Sequence, residues 1–434
     1  MIDIRALRDD PDAVKAALAR RGVEPAEVDA VVEADAAWRT SNARAEDLRR
    51  EVKELSGQVG QAKKAGDDAR AEDLSARSRR LGEDGAAAAA EADALAEEVR
   101  TGLLYLPNIP ADDAPDGVGD ENNVEVRRWW PGQDIGQPEP ERLEHQQVPH
   151  WEIGQALQIL DMERGARLAG TMFPLFRGAG ARLLRALTAF AIDRHSPEYE
   201  EIRPPTVVLT DTMTSTGHLP KFADDAYHIE RDDLWAIPTS EVPLASLARG
   251  EILAEAELPK RLTAATACFR REAGAAGRDT RGVLRVHEFD KVELFAYTAP
   301  EQATEVFGEI VGRAEALLRE LGLAYRVVDL CAGDLGQASA RTFDLEAYSP
   351  GTDQWLEVSS VSWCGDYQAR RANTRYRPAE GSGPAFVHTL NGSALAPGRP
   401  WAAMVETGRQ PDGSIRIPEC LHPYLGGAAL IPAG

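Results

Sequence analysis

The sequence predicts an α+β protein: a long antiparallel coiled-coil hairpin of helices, then a larger antiparallel sheet flanked by helices. Three observations carry this. Heptad spacing runs through residues 28–101 with one break. Short strand-like stretches then succeed one another beyond residue 200, with few helical stretches between them. Finally, residues 268–295, CFRREAGAAGRDTRGVLRVHEFDKVELF, alternate at both ends around a glycine-rich connection, as two antiparallel strands joined by a long loop do.

In chain order, residues 11–21 read as a short helix ended by Gly22 and Pro25. Val31, Trp38, Ala45, Val52 and Val59 then recur every seven residues, with Ala34, Ser41, Leu48, Leu55 and Ala62 three places later. After Lys64-Ala65-Gly66-Asp67 the pattern returns in Leu74, Leu81, Ala88 and Leu95, beside Ala71, Ser78, Gly85, Ala92 and Val99. That is an antiparallel hairpin of two helices, each roughly 50 Å long at ~1.5 Å per residue. Between residues 49 and 80 it carries nine basic side chains against six acidic ones. Such a tip is either a solvated charged face or a local attractor for phosphate. Residues 107–149, rich in Pro, Gly, Asp and Asn, read as a linker with one short strand at 124–126. The domain boundaries are therefore expected at 1–106, with the arm at about 28–101, and 107–434 including that linker.

In the second part, residues 179–195 form an amphipathic helix with Leu183, Leu184, Leu187 and Phe190. Pro204 and Pro205 then lead into a strand at 206–209, which suits a sheet edge. Further strands are expected at 234–239, 325–330, 342–348, 355–361 and 386–390. Helices are expected at 300–321 and near 401–407. Period-two geometry puts Arg270 and Glu272 on one face of the first hairpin strand, and Phe289, Lys291 and Glu293 on one face of the second. This is either an ordinary charged hairpin or a set of groups suited to a nucleotide and a zwitterionic amino acid.

Composition narrows the function. The chain has 434 residues, 28% of them charged, and a formal net charge of -22, which argues against a protein that coats nucleic acid. Cys268, Cys331, Cys364 and Cys420 form no C-x-x-C pair, so no zinc site and no disulfide scaffold is expected. The charged N-terminus and the lack of a membrane-length apolar run point to a cytoplasmic protein. No phosphate-binding P-loop, Rossmann glycine fingerprint, H-E-x-x-H or G-x-S-x-G elbow is present.

The assembled motifs resemble those of class II aminoacyl-tRNA synthetases, and closely those of bacterial seryl-tRNA synthetases, over nearly the whole chain. GAGARLLRALTAF…EIRPP (178–205) looks like motif 1, FRREAGAAGRDTRG…HEFDKVE like motif 2, and NGSALAPGR (391–399) like motif 3. TGHLPKF (216–222), TSEVPL (239–244), EVSS (357–360) and DGSIRIPECLHPYLGG (412–427) look like seryl-specific phrases. The resemblance implies a homodimer joining L-serine to tRNA(Ser) through a seryl-adenylate, with ATP as substrate and Mg²⁺ required. It also implies that the arm grips the tRNA. By the same resemblance, Arg270 and Arg399 are catalytic. Arg270, Arg271, Glu272, Val286, Phe289, Glu357, Val358, Ser359, Ser360 and Arg399 bind ATP, with Mg²⁺ on Glu357 and Ser360. Thr239, Ser240, Glu241, Arg270, Glu293 and Ser393 bind serine. The loop at 273–282 is expected to close on ATP and then meet the tRNA end.

The sequence departs from the family pattern at Pro397 and Pro400, which flank Gly398-Arg399, at Trp363-Cys364, and at Thr171-Met172 before Phe173. Alternatives to the main reading are a paralogue specialised for a secondary pathway, one that only binds tRNA, or a tRNA-independent amino-acid ligase.

Overall fold

The computed structural model describes residues 1–273, 281–379, 381 and 383–434. Contacts divide the chain into residues 2–106 and residues 107–434 with Met1. In the first unit, α1 (Ile4–Asp9) and α2 (Pro11–Ala19) precede α3 (Pro25–Lys64) and α4 (Asp68–Tyr105). At 40 and 38 residues, α3 and α4 each span about 60 Å. They outrun the sequence expectation because Pro25 is already the first helical residue and α4 continues to Tyr105. Gly66, at φ +76°, makes the turn between them, and the Asp67 side chain caps α4 by accepting from the Arg70 N–H.

Every heptad position named above is buried or half-buried. Small residues bring the two helices close where they meet: a Cβ on Gly85 would meet the Leu48 Cβ at 3.5 Å, and the Ser41 hydroxyl donates across to the Ala88 carbonyl at 3.3 Å. Buried Asp35 is held by Arg8 (2.9 and 2.6 Å) and Arg39 (3.0 Å), and the Arg8 hydrogen bond lowers its pKa despite burial. The nine basic side chains between residues 49 and 80 are all exposed.

The second unit is built on an eight-stranded sheet. Its strands are β1 (Val124–Trp129), β2 (Glu200–Glu201), β3 (Lys260–Phe269), β4 (Glu288–Thr298), β5 (Tyr325–Asp329), β6 (Arg341–Ser349), β7 (Gln354–Trp363) and β8 (His388–Leu395). They lie in the order β1-β5-β6-β7-β8-β4-β3-β2, and only the β2–β3 pair is parallel. The short strand expected within 107–149 is thus longer and forms an edge of the main sheet. Val207–Leu209, which follows the two prolines, is the edge of a separate three-stranded sheet.

Helices α5 (Gly178–His195), α6 (Ala303–Glu320) and α7 (Gly398–Thr407) bury Leu183, Leu187, Ile310, Leu317, Trp401 and Val405 in one core. Val292, Leu294 and Leu390 of the sheet belong to the same core. Each such side chain contributes about 2 kcal/mol on leaving water. Gly392 in β8 permits this packing, since a Cβ there would come within 2.6 Å of Ile310 Cγ2. Alternation then sends Phe289, Lys291 and Glu293 to the opposite face of β4. That face carries the site.

Candidate active site

β3 and β4 pair with Cys268 opposite Phe289, and the ladder ends one residue later at Phe269. Arg270 and Glu272 therefore do not share a strand face as the alternation suggested. The Arg270 N–H donates to the His287 carbonyl and the Arg271 N–H to the Asp225 carbonyl, both at 2.9 Å. Glu272 sits at φ +51° with its carboxylate 2.5 Å from Arg285. The guanidinium of Arg271 is turned to the Asp224 carbonyl at 3.3 Å and lines neither of the two cavities beside Arg270. Residues 274–280, and with them most of the loop expected to close on ATP, lie outside the described residues.

Two cavities of about 620 and 350 Å³ meet at Arg270, Glu272 and Arg285. The smaller is lined by Val286, Phe289, Lys291, Glu357, Val358, Ser359, Ser360, Ser393 and Arg399. The Arg270 guanidinium lies 5.3 Å from the Phe289 ring centroid, so a cation and an aromatic face stand together at its mouth. Arg399 donates to the Leu284 carbonyl at 2.9 Å and to the Glu357 carbonyl at 2.7 Å. Pro397 is the N-cap of α7 and Pro400 lies in its first turn, where the missing N–H is not needed.

The larger cavity is walled by Glu241, His218, Gln337 and Asn391. Beneath it, Glu293 is wholly buried and lines neither cavity. Its Oε2 lies 2.6 Å from the Lys291 ammonium and accepts from the Thr239 hydroxyl at 2.8 Å. That hydroxyl accepts in turn from Lys291 at 3.0 Å and from the Glu241 N–H at 3.1 Å. Glu293 Oε1 is buried with no partner among the described residues. An orphaned carboxylate oxygen is expensive, at about 1–3 kcal/mol, and marks a place for a donor. Ser393 stands directly opposite Glu293 across the β8–β4 ladder. Ser240 is fully buried, away from both cavities, and its hydroxyl has no partner among the described residues.

Glu241 accepts from the buried Gln368 amide at 2.6 Å. Burial, then the charge of Glu293, pushes the Glu241 carboxyl up to about 7. Burial, then Arg270 and Lys291, pushes His218 down to about 3, so it is neutral. Sequence reasoning assigned no role to Lys291, Gln368 or His218. Lys291 was visible on the Phe289–Glu293 face; nothing local flagged Gln368, which reaches Glu241 from 127 residues away.

The return root of the hairpin loop is anchored from below. The Val283 N–H donates to His150 Nε2 at 3.1 Å, so the ring proton is on Nδ1, 2.9 Å from Glu406 Oε1. Glu406 also accepts from the backbone N–H groups of His150 (2.8 Å) and Gly351 (3.1 Å) and from the Ser349 hydroxyl. Gly282, at φ +61°, has no room for a Cβ, which would lie 2.1 Å from His150 Nε2.

Glu357 is half-exposed, and Ser360 pairs in register with Asp344. Asp344 Oδ1 is buried without a partner among the described residues. Burial first, then the charge of Glu357, holds that carboxyl well above the usual range, while the Ser360 hydroxyl hydrogen-bonds it. This all-oxygen donor set fits a hard cation such as Mg²⁺. No group of three or more His, Cys, Asp or Glu among the described residues is arranged to hold a metal. A cation here must take its remaining ligands from water or substrate.

Residues 1–110 match the seryl-tRNA synthetase N-terminal domain, and residues 226–407 match the tRNA synthetase class II core domain (G, H, P, S and T). The serine--tRNA ligase of Gemmatimonas aurantiaca is 48% identical over 99% of this chain and 100% of its own. The chain belongs to the serine--tRNA ligase family. Another member, from Thermotoga petrophila, is 45% identical over 98% of this chain. Among solved serine--tRNA ligases, seryl-tRNA synthetase from Pyrococcus horikoshii, complexed with ATP, aligns over 100% of both chains with a TM-score of 0.92 and 35% identity. The cytoplasmic enzyme of Naegleria fowleri, in complex with AMP, aligns over 100% of this chain with a TM-score of 0.85 and 30% identity. The resemblance read from the motifs therefore holds, both in family and in the α+β architecture with its long arm.

Proposed function

We propose that this serine--tRNA ligase joins L-serine to tRNA(Ser), binding ATP in the smaller cavity and serine in the larger. Arg270, in the wall common to the two, carries the reading. A serine carboxylate oxygen attacks the α-phosphorus, the bond from that phosphorus to the bridging oxygen breaks, and pyrophosphate leaves. The terminal ribose hydroxyl of the tRNA then attacks the seryl carbonyl carbon, and AMP leaves with the bond electrons. No protein nucleophile takes part, so catalysis comes from orientation and charge. Arg270 bridges the serine carboxylate and the α-phosphate as negative charge gathers there. Phe289 offers its ring to the adenine, Arg399 covers the other side, and Val286, Val358, Ser359 and Glu272 complete the nucleotide cavity. Arg271, whose guanidinium lines neither cavity, would reach the nucleotide only by turning from the Asp224 carbonyl.

The serine ammonium meets the Glu241 carboxylate, and the substrate hydroxyl donates to the vacant oxygen of Glu293, which Lys291 and Thr239 hold in place. Ser393 flanks it across the ladder, and Ser240, buried away from both cavities, acts through its chain neighbours Thr239 and Glu241. An alanine in that position would leave the Glu293 oxygen unpaired, which is how such a pocket discriminates. Glu357 and Ser360 would hold Mg²⁺, which would supply neutralisation of phosphate charge when bound. Residues 1–106 hold the tRNA through the basic tip, and α5 with the segment to Pro205 builds a homodimer contact. No helix among the described residues is long and apolar enough to cross a membrane, in keeping with a cytoplasmic enzyme.

Serine-dependent pyrophosphate exchange together with charging of a tRNA(Ser) transcript tests the whole reading. Both activities are expected with serine, and alanine should support neither. Exchange without charging would indicate an amino-acid ligase for another carrier. No exchange with serine would remove the proposal.

A further inference from the structure

Arg270 follows the last paired residue of β3, so the sheet ladder does not hold the backbone that aims its guanidinium. Other groups do. On one side the Arg270 N–H donates to the His287 carbonyl at 2.9 Å. The N–H groups of Phe269 and Arg271 face the opposite way, as alternate residues of extended backbone do. They donate to the Ile237 carbonyl at 2.8 Å and to the Asp225 carbonyl at 2.9 Å. Glu272 then turns the chain at φ +51°, and the Ala273 N–H donates to Asp225 Oδ1 at 3.0 Å. Asp225 thus offers two acceptors, one from its backbone and one from its side chain, to donors on either side of that turn.

Asp225 stands on a fixed support. It closes the turn Ala223–Asp225, its own N–H donating to the Phe222 carbonyl at 3.1 Å. The next residue, Ala226, is buried in a cluster with Leu219, Trp235 and Ile237, so both outer acceptors, Ile237 and Asp225, are tied to one small core. Upstream, the Thr216 and Leu219 carbonyls accept from Gln368 and Arg371, each at 3.2 Å. The Asp225 side chain itself is exposed and adds nothing to that core.

We propose that Asp225 is a positioning residue for Arg270: by holding the Arg271 and Ala273 N–H groups it keeps the guanidinium aimed at the junction of the two cavities. A displacement of about 1 Å at such a group is enough to cost a large factor in rate. Asp225 also lines the larger cavity, so support of Arg270 has to be told apart from direct contact with serine. The inference rests on the role given to Arg270, and the variants below separate the two.

Serine-dependent pyrophosphate exchange is measured on the full-length parent and on Asp225→Ala, Asp225→Asn, Arg270→Ala and the Arg270→Ala/Asp225→Ala double variant. Asp225→Ala should lower kcat at least tenfold, with KM for serine and for ATP within about threefold of the parent and an unchanged unfolding midpoint. Asp225→Asn keeps an oxygen acceptor for the Ala273 N–H and should recover kcat to within about threefold. In the Arg270→Ala background, Asp225→Ala should add less than about a twofold loss, because a residue that acts through another has nothing left to aim.

A normal kcat in Asp225→Ala overturns the proposal. So does an Asn variant as slow as the Ala variant, or a raised KM for serine at normal kcat, either of which would make the carboxylate charge a contact of the substrate. A full further tenfold loss in the Arg270→Ala background, or a loss of folded protein that accounts for the loss of rate, overturns it as well. Near-normal exchange in Arg270→Ala alone would instead strike the role of Arg270.

Discussion

Affinity for serine should rise about tenfold between about pH 6 and about pH 8, and Glu241 is the reason. Its carboxyl is pushed up to about 7 by burial and then by Glu293, against the opposing pull of Lys291, the Gln368 amide and Arg270. A substrate ammonium is drawn to the ionised form. With half-titration near 7, about one-tenth of the sites are ionised at the lower pH and about nine-tenths at the higher. KM for serine in pyrophosphate exchange should therefore fall about tenfold across the range, with kcat moving less. Glu241→Gln preserves the shape but not the ionisation, so its KM should be raised throughout and flat with pH.

The stability profile has the opposite sense to ordinary acid unfolding. The carboxyl titrates at its usual 4.5 in the unfolded chain and near 7 in the fold, so the folded state holds the extra proton between those values. The unfolding free energy should fall as pH rises through that window, by on the order of 3 kcal/mol, and Glu241→Gln should lack that loss. A parent KM that is flat over this range, or a Gln variant with the same slope, refutes the assignment of the ammonium to Glu241.

Arg270→Ala should lower exchange by about a hundredfold or more, the usual effect of removing a donor aimed at developing charge; near-normal exchange would move the phosphate bridge elsewhere. Glu406→Ala leaves the His150 and Gly351 N–H groups, the His150 ring N–H and Ser349 without their acceptor. It should destabilise the catalytic unit by about 3 kcal/mol in denaturant titrations and weaken exchange, because Val283 loses its anchor. An unchanged unfolding midpoint would contradict that. Replacing residues 30–100 by a short Gly-Ser linker should spare adenylate formation and abolish charging; charging at the parent rate would show that the arm does not hold tRNA.

The parts of the fold that were legible in the sequence are those dictated by local period. The α3–α4 seam is spaced by seven along the chain, and the β3–β4 pair alternates on both sides of its loop, so each announces itself. What period two cannot reveal is where a ladder stops: pairing ends at Phe269, and Glu272 turns to Arg285 at a positive φ. Nor can it reveal distant pairing. Residues 124–126 read as a short strand in a linker; the strand runs Val124–Trp129 and is a sheet edge only because Tyr325–Asp329 lies beside it. At the site, Arg270, Phe289, Glu357, Ser360 and Arg399, all named from the motifs, line one cavity. The links between them were not legible. Lys291 and Glu293 share a strand face, but Thr239, which bonds both, and Gln368, which bonds Glu241, are brought there by tertiary packing.

The placement of β4 in the middle of the sheet has a consequence in time. Emerging from the ribosome, the β3–β4 hairpin is complete at Thr298, but β8, which covers the other edge of β4, starts only at His388. That is roughly ninety residues, or on the order of ten seconds of synthesis. Throughout that interval an apolar strand bearing Val292, Leu294 and Phe295 presents an unpaired edge to its surroundings. Glu406, which anchors the loop root, emerges later still. The nascent chain therefore has a long period in which it is prone to aggregate and cannot bind ATP, and chaperones should meet it there.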